Sequence, residues 1–215
     1  GGGSWGLAMS QILSYQHTVR VWEYNPEYVK ELQTKHCNSV LLPHIIMNDN
    51  ILFSNDIDVL FNNFDTDLLI IATPVSYVRS TIRLFIPFIT KCKNIKTIVN
   101  LAKGLEQKTH KRMSEVLADE LPENMHPLIA TLSGPSHAEE VARKIPTTVV
   151  IAGKNSEAIR YARNTLSTPW FRAYTSSDII GVELGGTVKN IIAIAAGIID
   201  GLELGDNTKG ALLTR

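Results

Sequence analysis

Apolar residues along this 215-residue chain recur in two patterns, short continuous runs and longer runs with helical spacing. Continuous apolar runs bounded by turn residues are typical of buried parallel strands. We predict such strands at residues 67–72, 97–101, 128–132, 147–152 and 171–175. Shorter strands are predicted at residues 17–22, where apolar and polar positions alternate, and near residues 51–53. Helical spacing indicates helices over residues 5–13, 25–35, 77–89 and 156–166.

This alternation of strands and helices predicts an α/β fold with a Rossmann-like doubly wound sheet. The strand pattern ends near residue 176, and only helical spacing follows it. We therefore expect an α/β domain over residues 1–176. Residues 177–215 are expected to form the beginning of an all-helical domain.

The most apolar stretch of the chain is Gly181–Gly201, in which the larger polar residues are Glu183, Lys189, Asn190 and Asp200. On a helix, Lys189 would project from a face of small residues that includes the adjacent Gly185 and Gly186. A glycine inside a helix costs about 1 kcal/mol relative to alanine, so this pair indicates close approach of another backbone or a ligand. Tight helix packing beside a solvated lysine is the alternative. The length would also suit a membrane span, but charges near the middle and the lack of a flanking basic cluster argue against one.

A GxGxxG pattern at Gly1, Gly3 and Gly6 precedes a predicted helix and then a predicted strand that ends at Glu23. This order is the fingerprint of a dinucleotide-binding βαβ unit, in which the helix N-terminus holds the pyrophosphate. Glu23 is placed to accept hydrogen bonds from the adenosine ribose and to repel a 2′-phosphate, so NAD is slightly favoured over NADP. The loop at Pro74, after the strand at residues 67–72, should pass beneath the cofactor.

Two further segments end predicted strands and so lie where open α/β sheets bind ligands. Lys103 follows the strand at residues 97–101 and is a candidate for a functional lysine. Residues 133–139 form a Ser/Gly-rich turn that leads into a helix, which is a pattern typical of anion sites. In addition, or instead, Ser136 could cap this helix, with Glu139 completing a capping box.

The bulk composition excludes several classes of function. The formal net charge is zero, which gives no reason to expect a nucleic-acid partner. Two widely separated cysteines indicate a reducing compartment, and we expect a cytoplasmic protein. The six histidines have no ligand spacing, so no metal site is predicted.

Four segments together resemble NAD(P)-dependent glycerol-3-phosphate dehydrogenases of the bacterial type. In chain order they are GGGSWG, AKGLE, LSGPSHAEEVA and IGVELGGTVKNIIAIAAGIIDGLELGDNTKGALLTR. Gly2 stands where the family has alanine. The resemblance covers essentially all 215 residues, and its last segment is the most specific. It also implies that the strand before the glycines, and most of the helical domain with an Arg-Asn pair for phosphate, lie outside this sequence.

The resemblance implies a role for each matching position. The pyrophosphate turn would be Gly1, Gly3, Ser4, Trp5 and Gly6. Tyr24 would lie by the adenosine ribose, and Ala138 near the cofactor. Lys103 would contact both cofactor and substrate. The substrate would also be bound by Gly134, Ser136 and Asn190. Lys189 would be the catalytic acid and base, and burial would lower its pKa toward the working range.

The reaction implied by the resemblance is the reversible reduction of dihydroxyacetone phosphate to sn-glycerol 3-phosphate by NAD(P)H, which feeds glycerophospholipid synthesis. The resemblance also suggests a homodimer. Two alternatives remain at this point. One is another dehydrogenase of the 6-phosphogluconate or 3-hydroxyacyl-CoA type, and the other is a module that binds the dinucleotide without turnover.

Overall fold

The computed structural model describes residues 1–62 and 64–214. Seven strands are formed by β1 (Val19–Trp22), β2 (Ile51–Ser54), β3 (Leu68–Ile71), β4 (Thr97–Asn100), β5 (Ile129–Ser133), β6 (Thr147–Gly153) and β7 (Phe171–Ser176). The helices of the first half are α1 (Ser4–Ser14), α2 (Pro26–Lys35), α3 (Ile57–Phe61) and α4 (Val75–Ile89). Those of the second half are α5 (Met113–Glu120), α6 (Ala138–Ala142), α7 (Ser156–Leu166), α8 (Ile179–Gly201) and α9 (Gly205–Thr214), and a 3₁₀ helix spans Glu123–Leu128.

The predicted α/β fold is confirmed, and each predicted strand and helix is present within a few residues. Local signals explain the boundaries. The side chain of Asn25 caps α2 by accepting from the Glu27 N–H, and Pro26 begins that helix. Asp178 caps α8 in the same way through the Gly181 N–H at 2.8 Å. These caps fix where the chain leaves a strand and enters a helix.

The strands form two hydrogen-bonded sheets, a parallel pair of β1 and β2 and a five-stranded sheet in the order β3-β4-β5-β6-β7. Strands β3, β4 and β5 are parallel, whereas β6 is antiparallel to β5. The five-stranded sheet is thus mixed, although continuous apolar runs suggested parallel strands throughout. The short α6, which packs on α1, connects β5 to the antiparallel β6, and α7 then makes the crossover to the parallel β7.

Three apolar clusters fill the space around the sheets. One packs α1 and α7 against β4 to β7, the second packs α4 and α5 against the other face, and the third joins β1, β2 and α2 to Leu7 of α1. A cavity of about 210 Å³ lies between β1 and β3 and is lined by residues of both strands, of α1 and of α4. The cavity separates the two sheets along the whole of β1.

The pattern of apolar residues did not reveal α3 or α5. Helix α3 is a single turn of five residues, too short for a periodic signal. Helix α5 does carry a signal, since its buried residues Met113, Val116 and Leu117 have i, i+3, i+4 spacing. Helix α3 packs against β1 and β2, and α5 packs against α4 and β5.

Helix α8 begins the helical region and is largely exposed beyond its first two turns. Within the described ranges it is long and apolar enough to cross a membrane, by length and composition alone. Its N-terminal part packs on β5 and β6, and Glu183 is buried there. That packing places the start of α8 on the α/β domain, beside the carboxyl end of β5.

Candidate active site

The glycine turn before α1 bridges the carboxyl ends of the two sheets. Gly1 lies against Ala72 and Thr73, which follow β3. The Gly2 N–H donates to Oε2 of Glu23, the residue after β1, at 3.0 Å. The N-terminus of α1 therefore faces the edge where β1 and β3 end. Such a helix end attracts anions through its free N–H groups and its dipole.

Steric contacts show which glycines this turn requires. A Cβ on Gly6 would lie 1.9 Å from the Gly1 carbonyl oxygen, and one on Gly1 would lie 2.7 Å from the Ala72 oxygen. Both contacts are with backbone, which cannot move aside cheaply. A Cβ on Gly3 would meet nothing within 4 Å, so the space in front of Gly3 is open. An open cradle over a helix N-terminus fits a pyrophosphate.

Glu23 is buried and its carboxylate is held by backbone. Besides Oε2, which accepts from Gly2, Oε1 accepts from the Asn25 N–H at 3.0 Å. Besides the ribose contact predicted for it, the carboxylate therefore ties β1 to the glycine turn. Tyr24 beside it is 73% exposed. A fixed negative charge thus stands at the end of β1, with an exposed ring next to it.

Other predicted cofactor residues take part through backbone or packing. The Ser4 hydroxyl donates to the Leu41 carbonyl, and the Trp5 ring packs 6.4 Å from the Phe171 ring, centroid to centroid. Pro74 is exposed as the N-cap residue of α4, and Ala138 is the half-buried first residue of α6. The side chains of Ser4 and Trp5 therefore serve the fold, and their N–H groups are what the turn offers to a ligand.

Thr73 adds a polar group that the sequence did not single out. Its hydroxyl is buried and has no hydrogen-bond partner among the residues that the structure describes. Its methyl group would lie 3.1 Å from a Cβ on Gly1. Because buried hydroxyls normally have partners, this one suits a ligand seated in the glycine turn.

Lys103, Gly134 and Ser136 converge at the carboxyl ends of β4 and β5. The Lys103 ammonium donates to the Gly134 carbonyl at 3.2 Å, and the Ser136 hydroxyl donates to the same oxygen at 3.3 Å. A Cβ on Gly134 would lie 3.0 Å from the Thr148 carbonyl oxygen, so glycine is needed for this close approach. The predicted substrate residues of these two loops are thus neighbours.

The loop that carries Lys103 is held at its root. The buried Asn100 side chain accepts from the Ala102 N–H at 3.1 Å and donates to the Ala102 carbonyl at 2.9 Å. Gly104 has φ +136°, a conformation that favours glycine, and a Cβ there would lie 3.1 Å from Val75 Cγ2. Lys103 therefore extends from a turn whose backbone is fixed on both sides of it.

Helix α8 approaches this loop through Gly186. A Cβ on Gly186 would lie 2.7 Å from Ser133 Oγ and 3.8 Å from Lys103 Cγ, whereas one on Gly185 would meet nothing within 4 Å. The close approach predicted for the glycine pair is thus confirmed for Gly186, and its neighbour is a serine side chain. Lys189 lies one turn further along α8.

Lys189 and Asn190 are both exposed. Lys189 is thus exposed among the described residues, and its burial in the full-length protein stays a prediction. The Lys103 amine is affected by this neighbour. Its pKa is lowered, first by partial burial of the amine and second by the positive charge of Lys189. The two lysines therefore share one electrostatic site.

The capping box expected at Ser136 and Glu139 is also wrong. Helix α6 begins at Ala138, its N-cap residue is His137, and no side chain caps it. Ser136 is one residue too early, and its hydroxyl turns back to the Gly134 carbonyl. The Ser/Gly turn therefore positions Gly134 and Ser136 beside Lys103.

Glu183 is the charged residue of this region that sequence reasoning missed. It is 8% exposed and binds Arg112 and Ser114 at the start of α5. Its only signal in the sequence was a carboxylate in a strongly apolar run. No group of three or more His, Cys, Asp or Glu within residues 1–62 and 64–214 could hold a metal ion.

Comparison with protein families agrees with this arrangement. Residues 1–159 match the model of the NAD-dependent glycerol-3-phosphate dehydrogenase N-terminus, and residues 178–215 match that of the C-terminus. Among curated proteins, glycerol-3-phosphate dehydrogenase [NAD(P)+] of Fusobacterium nucleatum is 43% identical over 216 residues, with 100% of this chain and 63% of the relative covered. The protein of the same name from Moorella thermoacetica is 44% identical, again with 100% of this chain and 62% of the relative covered.

A solved structure gives the same result. Glycerol-3-phosphate dehydrogenase from Coxiella burnetii superimposes with a TM-score of 0.86 at 35% identity, covering 100% of this chain and 63% of that one. The chain thus spans about 63% of the length of the relatives it matches. Both family models together match 197 residues, 159 and 38, in the family's own order. The chain therefore belongs to the NAD-dependent glycerol-3-phosphate dehydrogenase family.

Proposed function

We propose that the full-length protein transfers a hydride between NAD(P)H and dihydroxyacetone phosphate, giving sn-glycerol 3-phosphate. The convergence of Lys103, Gly134 and Ser136 with the segment of α8 that carries Lys189 supports this proposal most directly. The relatives at 43% and 44% identity carry this activity in their names. Lys103, Gly134 and Ser136 lie close together at the ends of neighbouring strands, which supports a shared substrate site.

The glycine turn would hold the dinucleotide. Its open cradle at Gly3, the N-terminus of α1 and the unpartnered Thr73 hydroxyl suit a pyrophosphate. Hydride transfer is the chemistry that the bound nicotinamide supplies. Glu23 and Tyr24 would flank the adenosine ribose at the end of β1.

The protein's own residues would manage the charge that develops on the substrate. As the carbonyl carbon gains a hydride, its oxygen becomes negative and needs a proton donor. Lys189 would give that proton and become a neutral amine. The neutral amine would take a proton back from water before the next turnover. Lys103 would add positive charge near the oxygen or the phosphate, and Ser136 and Asn190 would orient the substrate.

Lys189→Ala tests the catalytic role in the full-length protein. We expect kcat to fall by about 10³-fold or more, because the proton donor for the alkoxide is lost. The Kd for NADH should stay nearly constant, since the glycine turn is separate from α8. Lys209→Ala, which removes a lysine that pairs with Asp200 instead, is the matched control. Near-normal turnover in Lys189→Ala, followed by NADH absorbance, contradicts the assignment.

We also propose that NAD is preferred over NADP. The Glu23 carboxylate is fixed by two backbone N–H groups, so it cannot turn away from a 2′-phosphate without breaking them. Glu23→Gln removes the negative charge and keeps one of the two acceptor oxygens. The ratio of kcat/KM for NADH over NADPH should fall by about tenfold in this variant, as expected from roughly 1.4 kcal/mol. A ratio below one in the unaltered protein contradicts the proposal.

We also propose that the full-length protein is a homodimer in the cytoplasm. Apolar side chains on α8 and α9, among them Ile191, Ile194 and Leu213, are exposed. Surfaces of this kind are normally covered by further helices or by another subunit. Cys37 and Cys92 are free thiols, as is typical of a reducing compartment. Light scattering of the full-length protein would give its oligomeric state.

A further inference from the structure

Glu183 is the most completely engaged carboxylate near the candidate site, yet it does not face the substrate loops. Its side chain is 6% exposed. Its Oε1 accepts from the Ser114 N–H at 2.8 Å, and its Oε2 accepts from the Ser114 hydroxyl at 2.6 Å and from Arg112 Nη1 at 2.9 Å. All three donors belong to the N-terminus of α5. Glu183 therefore fastens the second turn of α8 to the start of α5.

The start of α5, which Glu183 contacts, is connected to Lys103 by the preceding loop. Residues Leu105 and Arg112 form an isolated β-bridge, which closes the loop that begins with Lys103 and ends at α5. The Glu106 N–H also donates to the Lys111 carbonyl within that loop. A shift of Arg112 would therefore be passed to the base of the Lys103 loop through backbone hydrogen bonds.

Helix α8 connects Glu183 to the two lysines. Gly186, one turn after Glu183, lies against Ser133 and the Lys103 side chain, and Lys189 follows one turn later. The only buried residues of α8 in the described part of the chain are Ile179 and Glu183. Glu183 is thus the buried polar contact that ties α8 to the start of α5 in the described part of the chain.

We propose that Glu183 is a positioning residue, which acts through Arg112 and Ser114 to hold Lys189 at a fixed place relative to Lys103. This inference rests on the proposed function, because the two lysines are assigned there to one reaction. A buried carboxylate with three charge-assisted or backbone donors has a well-defined geometry, unlike a solvated surface pair. Small displacements of a proton donor have large effects on turnover.

The variant Glu183→Gln tests the inference in the full-length protein. The amide keeps the size of the side chain but loses the ionic contact with Arg112. We expect kcat to fall by about 10- to 100-fold, while the KM for dihydroxyacetone phosphate changes less than threefold and the Kd for NADH stays constant. A general loss of folded protein would instead lower the active fraction and leave kcat per folded molecule unchanged.

Glu115→Gln is the matched control. Glu115 also pairs with Arg112, at 3.1 Å, and also accepts from a backbone N–H at the start of α5. It is half exposed, and within the described residues no hydrogen bond or ion pair joins it to α8. Its variant removes the same charge from the same arginine and should keep kcat. Equal losses of kcat in both variants would overturn the proposal, since the effect would then come from Arg112 or α5 alone.

Hydrogen exchange separates this inference from the proposed function. Exchange measured by mass spectrometry should become at least fivefold faster for peptides covering residues 184–190 and 101–106 in Glu183→Gln, but not in Glu115→Gln. If the unaltered protein does not oxidise NADH with dihydroxyacetone phosphate, the proposed function fails, and the exchange result alone decides whether Glu183 holds α8. Unchanged exchange in Glu183→Gln overturns the inference, whatever the turnover.

Discussion

The glycines of the turn have different structural roles, although the sequence motif does not distinguish them. Gly6 is required by the fold, because its α-carbon faces the Gly1 carbonyl at a distance that excludes a methyl group. Gly3 has open space on that side. Its lack of a side chain therefore serves whatever approaches the N-terminus of α1 from outside.

This difference gives a prediction at the residue scale. Gly6→Ala should lower the free energy of unfolding by about 2 kcal/mol or more, because the added Cβ overpacks against backbone. The free energy of unfolding of Gly3→Ala should lie within about 0.5 kcal/mol of that of the unaltered chain. Gly3→Ala should bind NADH at least tenfold more weakly, because its methyl group would occupy the cradle. Urea unfolding and NADH fluorescence measure the two effects. Equal destabilisation by both substitutions would contradict this division.

At the scale of elements, α4, α5 and the loop after β4 are joined by an ion-pair network. Arg79 of α4 binds Glu106 through Nε at 2.7 Å and also contacts Asp119 and Glu120 of α5. The hydrogen bonds from Arg79, and then from Thr109, lower the pKa of Glu106 to about 2. The loop that carries Lys103 is therefore fastened to α4 at Glu106 and to α8 through Arg112.

Acid should weaken this network in a defined pH range. The folded-state pKa of Glu106 is about 2 and its ordinary value is 4.5, so its contribution to stability is present above 4.5 and is lost as pH falls towards 2. The difference in free energy of unfolding between the unaltered chain and Glu106→Gln should shrink over that range. Glu157→Gln, at an exposed position of α7, should give a much flatter difference. Equal pH dependence of the two differences would show that Glu106 is not held by Arg79.

The sequence predicted these elements better than it predicted the contacts between them. Strands and helices follow from local periodicity, and Asn25 and Asp178 mark helix starts that the structure has. The convergence of Lys103 and Gly134 followed from the rule that parallel strands present their carboxyl ends together. The burial of Glu183 did not follow from any local signal, because its partners lie 69 and 71 residues earlier in the chain.

At the scale of the whole molecule, the two sheets differ in how well they are supported. Strands β4, β5 and β6 are each paired on both sides, and Ile98, Val99 and Ala130 are fully buried. Strands β1 and β2 pair only with each other, and the cavity lies between them and β3. A two-stranded sheet is marginal by itself and depends on the helices packed against it. In the 215-residue chain, the sheet that ends at Glu23 therefore depends on the helices packed against it.

We expect native-state hydrogen exchange to reveal two units. Amides of β1 and β2 should exchange through a sub-global opening at low urea, whereas those of β4 to β6 should need global unfolding. Phe53→Ala, in the cluster around β2, should cost about 3–5 kcal/mol and speed exchange in the first unit. Ile98→Ala, buried in β4, should speed exchange in both. Identical protection of the two sheets at every urea concentration would mean that packing across α1 couples them into one cooperative unit despite the cavity. In that case Glu23 and the glycine turn would be as rigid as the lysine site, and dinucleotide binding would leave the exchange of β1 unchanged instead of slowing it.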